Sequence, residues 1–216
     1  MTEVQKHGFI WEKDILCGAY GCPEEELKGI GYTSPHDLPS ALNKVNGANL
    51  SLKCRKAGGE ICMGNPLRVF DAVSSGEELH MVLIDWTQAS ATTKRLANLI
   101  EVNLTGAKAE LFGTATREQV AELDALVKQI PTKSKPTEEQ HQAIYALRNR
   151  LDQQMGAMKL RIKCNSQQSR VQCAFPNKAF ASFLKAHPGR IVATMAGGLF
   201  YGKPVLMEIL SGCRVF

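Results

Sequence analysis

Acidic side chains are almost absent from the last part of the chain. Between residues 157 and 216 there are nine Lys or Arg and a single acid, Glu208. The rest of the chain holds 17 basic and 20 acidic residues, so the whole excess of +5 lies in this segment. Basic residues gathered in one segment repel each other, which destabilises the fold. A polyanionic partner offsets this repulsion, and its counterions are released on binding. The pattern favours a nucleic-acid partner; the alternative is a solvated basic face with no partner.

Other absences exclude whole classes of protein. No run of about 18 apolar residues is present, so we expect no membrane-spanning helix. The N-terminal residues lack the apolar stretch of a secretory signal. The seven cysteines contain no C-x-x-C pair, which argues against a zinc site. Their odd number, in a chain without an export signal, predicts reduced thiols in the cytoplasm or nucleus.

Nucleotide and histidine motifs are also missing. The glycine pair Gly58-Gly59 is not part of a G-x-x-x-x-G-K-[ST] run, so nucleotide hydrolysis has no support. The five histidines form no HxH or HxxxH pair, and only His36, beside an aspartate, is of interest. The sequence therefore has neither a nucleotide-binding loop nor a paired-histidine metal motif.

Hydrophobic periodicity predicts alternating strands and helices. Residues 49–54 alternate as a strand does, and residues 79–86 and 96–104 are almost wholly apolar, so we expect 79–86 to be central and to pair with 96–104. Apolar residues between 9 and 16 recur at helical spacing. Capping-box patterns begin two more helices at Thr116 and Thr137.

These elements predict an α/β fold in which a central mixed β-sheet is flanked by helices. A chain of 216 residues with 44% hydrophobic residues is long enough for one cored domain. We therefore expect a single domain over 1–216. Its residues 1–156 would hold the core and the helical pair, and 157–216 a basic part that contains a β-hairpin of residues 158–164 and 170–175.

One carboxylate and one lysine stand at a spacing that suits phosphodiester chemistry. Asp37 lies just before the first clear strand, and Lys53 lies near its end. A carboxylate can ligate Mg²⁺, and an ammonium can hold the attacking water and offset charge on the transition state. Strand alternation places Ser51 on the same face as Lys53, so Ser51 points to the same site.

Asp37 followed by Ser51-Leu52-Lys53 resembles the bipartite core of the PD-(D/E)xK nuclease superfamily, which includes many type II restriction endonucleases. The resemblance implies a restriction-endonuclease-like fold, Mg²⁺ as cofactor and cleavage of double-stranded DNA by a homodimer. It also implies that Glu12, in the first helix, joins the metal site. Residues 159–175 are similar to restriction-endonuclease-like proteins of large algal DNA viruses, which implies a viral protein in a host cell.

The chain departs from the superfamily pattern at Ser51, where the pattern has Asp or Glu. Some restriction enzymes of the superfamily have Ser there and take their second carboxylate from a following helix. By the resemblance, the replacement here is Glu60, seven residues after Lys53, or else Asp71. Glu60 is closer in sequence and is the preferred candidate, both as metal ligand and as catalytic acid.

Two further acids lie within apolar strands, where an unpaired charge is costly. They are Asp85 and Glu101. Either they pair with Arg or Lys in the fold, or they face a metal.

The predicted hairpin is the candidate for DNA recognition. Its polar tip supplies mixed donors and acceptors, and an arginine can pair bidentately with guanine in the major groove. The alternative is an ordinary polar hairpin tip. The candidate base-contacting residues are Lys163, Asn165, Ser166, Gln167, Gln168 and Arg170. The candidate phosphate contacts, which fix register without reading sequence, include Lys159, Arg161 and Lys178.

The sequence thus predicts a Mg²⁺-dependent endonuclease that cuts double-stranded DNA, with site specificity of the type II restriction kind. The alternative is a DNA-binding protein without catalysis that uses only its basic C-terminal region. An RNA-binding module is a third class. Aromatic residues near the hairpin are few, with only Phe175 close in sequence, and this argues against base stacking.

Overall fold

The structure is a computed structural model that describes residues 3–30, 34, 36–132, 134–165 and 168–210. The chain is mixed α/β, with a central mixed sheet flanked by helices, as expected. The restriction-endonuclease-like topology stays a prediction. None of the helices among the described residues has the length and apolarity needed to cross a membrane.

Strands and helices alternate along most of the chain. In chain order the strands are β1 (Asn49–Lys56), β2 (Ile61–Gly64), β3 (Leu79–Gln88), β4 (Thr93–Asn103), β5 (Lys159–Asn165), β6 (Gln168–Phe175), β7 (Ile191–Thr194), β8 (Leu199–Phe200), β9 (Lys203–Pro204) and β10 (Glu208–Leu210). The α-helices are α1 (Glu3–Asp14), α2 (Glu24–Gly29), α3 (Pro66–Ser74), α4 (Lys108–Phe112), α5 (Arg117–Lys128), α6 (Glu138–Gln154) and α7 (Asn177–Ala186). A π-helical turn, Ile15–Ala19, continues α1, and two short 3-10 turns are Ser40–Leu42 and Pro188–Arg190.

These elements form two compact units. The first consists of Met1–Gly59, Glu77–Thr105 and His187–Phe216, and the second of Glu60–Gly76 and Gly106–Ala186. The basic segment 157–216 contributes to both units, since residues 157–186 belong to the second and 187–216 to the first. The division expected at residue 156 stays a prediction. That the whole chain is one domain stays a prediction.

The first unit is built on a mixed sheet. β1 pairs parallel with β3, and β3 pairs antiparallel with β4. β10 and β7 pair with different parts of β4. β3 is therefore bordered by strands on both sides, which explains why its sequence is apolar on both faces. The predictions that β3 is central and that it pairs with β4 are confirmed.

A hydrophobic core covers one face of this sheet. Leu50, Val82 and Leu99 of the sheet pack with Trp11 and Ile15 from the N-terminal helical segment. The C-terminal segment enters the same core with buried side chains at Phe200, Val205 and Ile209. Residues 187–210 are therefore structural parts of the first unit.

The second unit combines five helices with a three-stranded sheet of order β2-β6-β5. Both predicted capping boxes are present: Thr116 pairs reciprocally with Gln119, and Thr137 with Gln140. The apolar faces of α5 and α6 are buried as the 3.6-residue periodicity requires. β2 was not predicted, because four residues that end in glycine give too short an alternation to identify a strand.

Candidate functional site

Asp37 is fixed beside β1 by backbone hydrogen bonds. Leu38, which is fully buried, forms an antiparallel bridge with Leu50 of β1. The Asp37 amide donates to the Leu50 carbonyl at 2.9 Å, and the Leu50 amide donates to the Leu38 carbonyl at 2.8 Å. Since the main chain is held on both sides of the carboxylate, Asp37 has a defined position at the edge of the strand.

One oxygen of Asp37 gathers three donors from β1. Its Oδ2 accepts a hydrogen bond from the Leu52 amide at 2.7 Å and lies 3.5 Å from the Ser51 hydroxyl. The Nζ of Lys53 is 3.8 Å from the same oxygen and donates to the Leu52 carbonyl at 3.0 Å. The structure therefore brings together Asp37, Ser51 and Lys53, at a place where the carboxylate is 47% exposed.

Glu12 approaches these groups from α1. A Cβ placed on Gly8 would lie 3.7 Å from Glu12 Oε1 and 3.8 Å from the Cys54 Cβ, so the helix lies against β1 at Cys54. Burial, the largest cause, and the charge of Asp37 together raise the pKa of Glu12 to about 7, although the charge of Lys53 opposes the shift. Glu12 therefore shares an electrostatic environment with Asp37 and Lys53. We call Glu12, Asp37, Ser51 and Lys53 the Asp37 cluster.

Cys54 is next to this cluster but is not a nucleophile. Burial raises the pKa of its thiol to about 12, and the charge of Glu12 adds to the effect. A thiol that stays protonated at neutral pH is a poor attacking group. The reactive chemistry of the site is therefore confined to oxygen and ammonium groups.

Glu60 and Asp71 have other partners. Arg161 Nε donates to both oxygens of Glu60 at 3.1 Å, and its Nη2 contacts Oε2 as well. Arg117 makes a two-pronged pair with Asp71 at 2.6 and 2.9 Å. A carboxylate held by a guanidinium on both oxygens would have to break that pair to bind a metal. Both pairs lie in the second unit, and a metal-binding or catalytic role for Glu60 stays a prediction.

The donor set of the Asp37 cluster fits Mg²⁺. Among the described residues, no group of three or more His, Cys, Asp or Glu side chains is gathered around a possible metal position. Mg²⁺ does not require such a group, since it commonly binds one or two carboxylates and completes its shell with waters and substrate phosphates. The charge of Asp37 helps to raise the pKa of Glu12, and a cation bound between the two carboxylates would offset this repulsion.

Asp85 forms a buried ion pair in the first unit. Its Oδ1 accepts a hydrogen bond from Arg55 Nε at 2.6 Å, and both side chains are about nine-tenths buried. Arg55 also donates from Nη1 to the Gly59 carbonyl at 2.5 Å. The expectation of an ion pair with Arg or Lys is confirmed for this residue.

Glu101 is buried completely and is satisfied by neutral donors and a histidine. Its carboxylate accepts from the hydroxyls of Tyr20 and Tyr201 at 2.5 and 2.6 Å and from Asn46 Nδ2 at 2.8 Å. His80 Nδ1 lies 2.5 Å away. The prediction that Glu101 pairs with Arg or Lys is wrong. Four polar side chains from separate parts of the first unit bind its carboxylate instead.

Strands β5 and β6 carry basic residues on one face. They pair antiparallel with Lys163 opposite Arg170 and Arg161 opposite Gln172. Lys163 and Arg170 are exposed. Ser166 and Gln167 lie outside the described residues. We call the face that holds Arg161, Lys163, Gln168, Arg170 and Gln172 the basic strand face; Asn165 pairs with Gln168 in its backbone register.

Several basic side chains already have protein partners. Lys159 Nζ donates to the Asp152 carbonyl at 2.9 Å, and Arg161 holds Glu60. Arg170 Nε donates to Gln168 Oε1 at 3.0 Å, which couples the two candidate recognition side chains. Lys178, in α7, is exposed.

The structure places aromatic rings closer to β5 than the sequence indicated. His141 and Tyr145 of α6 line a pocket together with Ile162 and Cys164 of β5. Phe175 is the aromatic residue close to the hairpin in sequence, and Tyr145, which is distant in sequence, lies beside β5 in the fold. The sequence did contain a signal for this pair of rings, because His141 and Tyr145 stand four residues apart in a helix whose start was predicted, and so lie on one face of it.

Comparison of the chain with protein-family models, with curated proteins and with solved structures gave no match. The resemblance to PD-(D/E)xK nucleases accordingly depends on Asp37, Ser51-Leu52-Lys53 and Glu12, together with the similarity of residues 159–175 to restriction-endonuclease-like proteins of large algal DNA viruses.

Proposed function

We propose that the chain is a Mg²⁺-dependent endonuclease of the PD-(D/E)xK type that hydrolyses phosphodiester bonds of double-stranded DNA. The observation that carries this proposal is the Asp37 cluster. In it the Ser51 hydroxyl and the Lys53 ammonium both lie within 3.8 Å of Asp37 Oδ2. A second carboxylate, with a pKa of about 7, completes the group.

Asp37 and Glu12 are the residues that would hold the metal. When bound there, Mg²⁺ would polarise the scissile phosphate and lower the pKa of a coordinated water. The hydrogen bond from the Leu52 amide fixes one oxygen of Asp37, so this ligand is oriented before a metal arrives. Glu12, not Glu60, is the supporting carboxylate in this proposal, because Glu60 is engaged by Arg161.

Lys53 supplies positive charge next to the reacting phosphate. Its Nζ is anchored by the Leu52 carbonyl at 3.0 Å and lies beside Asp37, so its position does not depend on substrate. From there the ammonium can orient the attacking water and offset charge that gathers on the phosphate in the transition state. Ser51 donates toward Asp37 and keeps the carboxylate in place rather than acting as a metal ligand.

DNA contacts are supported by an electrostatic conflict on the basic strand face. Lys163 and Arg170 are direct cross-strand neighbours, and like charges in such positions destabilise a sheet. DNA phosphates bound at this face would neutralise both cations and reduce the repulsion. In this proposal Arg170 and Gln168 contact base edges while Lys163 and Lys178 contact phosphates. Site specificity and a two-fold homodimer belong to the same proposal.

Incubation with supercoiled plasmid, with and without Mg²⁺, tests the proposal. Wild type is expected to give linear DNA and then discrete fragments only with Mg²⁺. Asp37→Ala and Lys53→Ala should each slow the cutting by at least about a hundredfold, as is typical when an electrostatic catalytic group is removed. Lys56→Ala is the matched control, because Lys56 is an exposed lysine at the end of the same strand.

The same assay separates the two candidate functions. Retained gel shifts with no cutting under any divalent ion would favour the DNA-binding protein without catalysis. Cutting that persists in Asp37→Ala would place the chemistry elsewhere and contradict the assignment of the Asp37 cluster.

A further inference from the structure

The basic strand face holds a carboxylate among its cations. Glu60 lies just before β2, and strand alternation places it on the same side of the sheet as Cys62, the exposed residue opposite Ala174 of β6. The β5–β6 register puts Arg161 on this side too, opposite Gln172. An acid on a DNA-binding face repels phosphates, so Glu60 should weaken binding unless it has another role there.

Arg161 reaches Glu60 across the middle strand of the sheet. The strand order is β2-β6-β5, so β5 and β2 lie on opposite sides of β6. The Arg161 side chain therefore extends over β6, and the two partners stay 35% and 37% exposed. The guanidinium is thus held on the open face of the sheet, within the second unit.

The contacts with Glu60 use one edge of the guanidinium. Nε donates to both carboxylate oxygens at 3.1 Å, and Nη2 donates to Oε2. A guanidinium has five N–H groups in one plane, so this pairing leaves the two on Nη1 and the second one on Nη2. Those groups form the end of the fork, which is the part that can donate to O6 and N7 of guanine.

The pair also differs in charge from its neighbours on the face. Glu60 and Arg161 together carry no net charge, so the pair releases no counterions when DNA binds. Lys163, two residues further along β5, is an exposed cation and suits a phosphate. Base edges present hydrogen-bond acceptors without a full charge, and a neutral pair with a free donor fork suits them.

We propose that the Glu60–Arg161 pair recognises one G·C base pair in the major groove, with Arg161 donating to guanine and Glu60 holding the guanidinium in place. This inference depends on the proposed binding of double-stranded DNA at the basic strand face. Because Glu60 fixes the side chain before DNA arrives, less conformational entropy is lost on binding. Glu60 also keeps Arg161 from binding phosphates at other sequences, so the acid contributes to specificity.

Selection of bound duplexes from a randomised pool, without Mg²⁺ and with sequencing of the bound fraction, tests this proposal. Wild type is expected to enrich a motif that includes a G·C pair. Arg161→Ala should lower the preference for one such pair by about tenfold, which is typical of one bidentate contact to guanine. Arg161→Lys should do the same, because it keeps the charge and loses only the fork.

Glu60→Ala should change affinity and specificity in opposite directions. Without its partner, Arg161 can bind phosphates, so the affinity for random duplexes should rise and its salt dependence should steepen by about one phosphate contact. The preference at the same G·C pair should fall. Asp71→Ala is the matched control, because it breaks the two-pronged pair with Arg117 between α3 and α5 and should leave that preference unchanged.

A guanine analogue gives a measurement on the unmodified chain, which also serves if a variant does not fold. Deazaguanine, in which C–H replaces N7, still pairs with cytosine but lacks one major-groove acceptor. At the base pair that Arg161→Ala no longer selects, it should weaken binding of wild type severalfold and leave that of Arg161→Ala unchanged. Equal losses in both, or no loss in wild type at any guanine of the motif, would overturn the proposal.

The outcomes separate this inference from the proposal on which it depends. If wild type binds no duplex at low salt, DNA binding by this face is contradicted, and the inference with it. If wild type binds without enriching any motif, or Arg161→Ala enriches the same motif in full, DNA binding stands and the recognition role is overturned. Loss of plasmid cutting in Glu60→Ala with unchanged preference would assign Glu60 to the metal and overturn its role here.

Discussion

The buried carboxylate of Glu101 connects four polar side chains in the interior of the first unit. Replacing it by alanine would leave the hydroxyls of Tyr20 and Tyr201 and the Asn46 amide without their acceptor. We expect Glu101→Ala to lower the free energy of unfolding by about 3–5 kcal/mol, because each buried donor left without an acceptor costs about 1–3 kcal/mol. Urea denaturation measures this change.

Glu208→Ala is the matched control for Glu101→Ala. Glu208 pairs with Arg95 at the surface, where both side chains are about half exposed. Its loss should cost no more than about 1 kcal/mol. Equal losses in the two variants would show that the Glu101 network contributes little.

The same network predicts how acid affects stability. Burial alone would raise the pKa of Glu101, but hydrogen bonds from His80, Tyr20, Tyr201 and Asn46 outweigh it and lower the pKa below the ordinary glutamate value. Because the folded state holds the ionised form more tightly, Glu101 stabilises the fold above its unfolded pKa. That contribution is lost as the pH falls through the lower, folded pKa.

Glu12 should have the opposite pH dependence. Its folded pKa of about 7, raised chiefly by burial, exceeds the unfolded value of 4.5. Between these values the folded state binds more protons, so stability falls as the pH rises and levels off above about pH 7. We expect Glu12→Gln to exceed wild type in stability by about 1–3 kcal/mol at pH 8 and by little at pH 4.5. Thermal melts at the two pH values measure this; a pH-independent difference would contradict the raised pKa.

In the β5–β6 pair, the like charges of Lys163 and Arg170 should lower the stability of the fold and raise its affinity for DNA. Lys163→Glu converts the like-charge pair with Arg170 into an ion pair, which should stabilise the fold by about 0.2–1 kcal/mol. The same change should weaken binding of double-stranded DNA and make the salt dependence shallower by about one phosphate contact. Anisotropy at several salt concentrations, together with urea denaturation, measures both effects.

Arg150→Glu makes the same charge change at an exposed position of α6 and serves as the control. It should neither stabilise the sheet nor alter the salt dependence by as much as Lys163→Glu does. If Lys163→Glu destabilises the chain and leaves DNA affinity unchanged, the basic strand face is an ordinary solvated surface.

Elements with strong local signals could be predicted from the sequence, and those with weak signals could not. The capping boxes at Thr116 and Thr137 identified two helices, since both partners of each cap lie within four residues. β2 was missed because its pairing with β6 depends on residues more than 100 positions away. The partner of Glu60 was missed for the same reason, because Arg161 is 101 residues distant in the chain.

At the candidate site, spacing and strand alternation predicted the grouping of Asp37, Ser51 and Lys53, because all three depend on one strand. Glu12 came from the resemblance alone, and its approach to β1 depends on tertiary packing at Gly8. Composition could not show that residues 187–210 enter the core of the first unit. Their apolar side chains are scattered among glycines and basic residues, and their contacts are with α1 and β4.

At the scale of the whole molecule, this last segment should be required for folding. A chain ending at residue 186 would lose the buried side chains of Phe200, Val205 and Ile209 and the hydrogen bond from Trp11 Nε1 to the Leu206 carbonyl. At about 1.5–3 kcal/mol for each side chain, the loss approaches the whole stability of a domain. Circular dichroism melts should therefore show no cooperative transition of the first unit. A truncated chain that melts like wild type and loses only DNA affinity would contradict this.

Titration of Mg²⁺ into the free protein at pH 7, in two buffers of different ionisation enthalpy, tests the Asp37 cluster most directly. We predict saturable binding with release of about half a proton, since Glu12, with a pKa of about 7, must lose its proton to bind a cation. Both signals should disappear in Asp37→Asn and Glu12→Gln and persist in Glu25→Gln, a control at an exposed glutamate. Binding that is absent in wild type, or unchanged in Asp37→Asn and Glu12→Gln, would contradict a metal-dependent site at the Asp37 cluster.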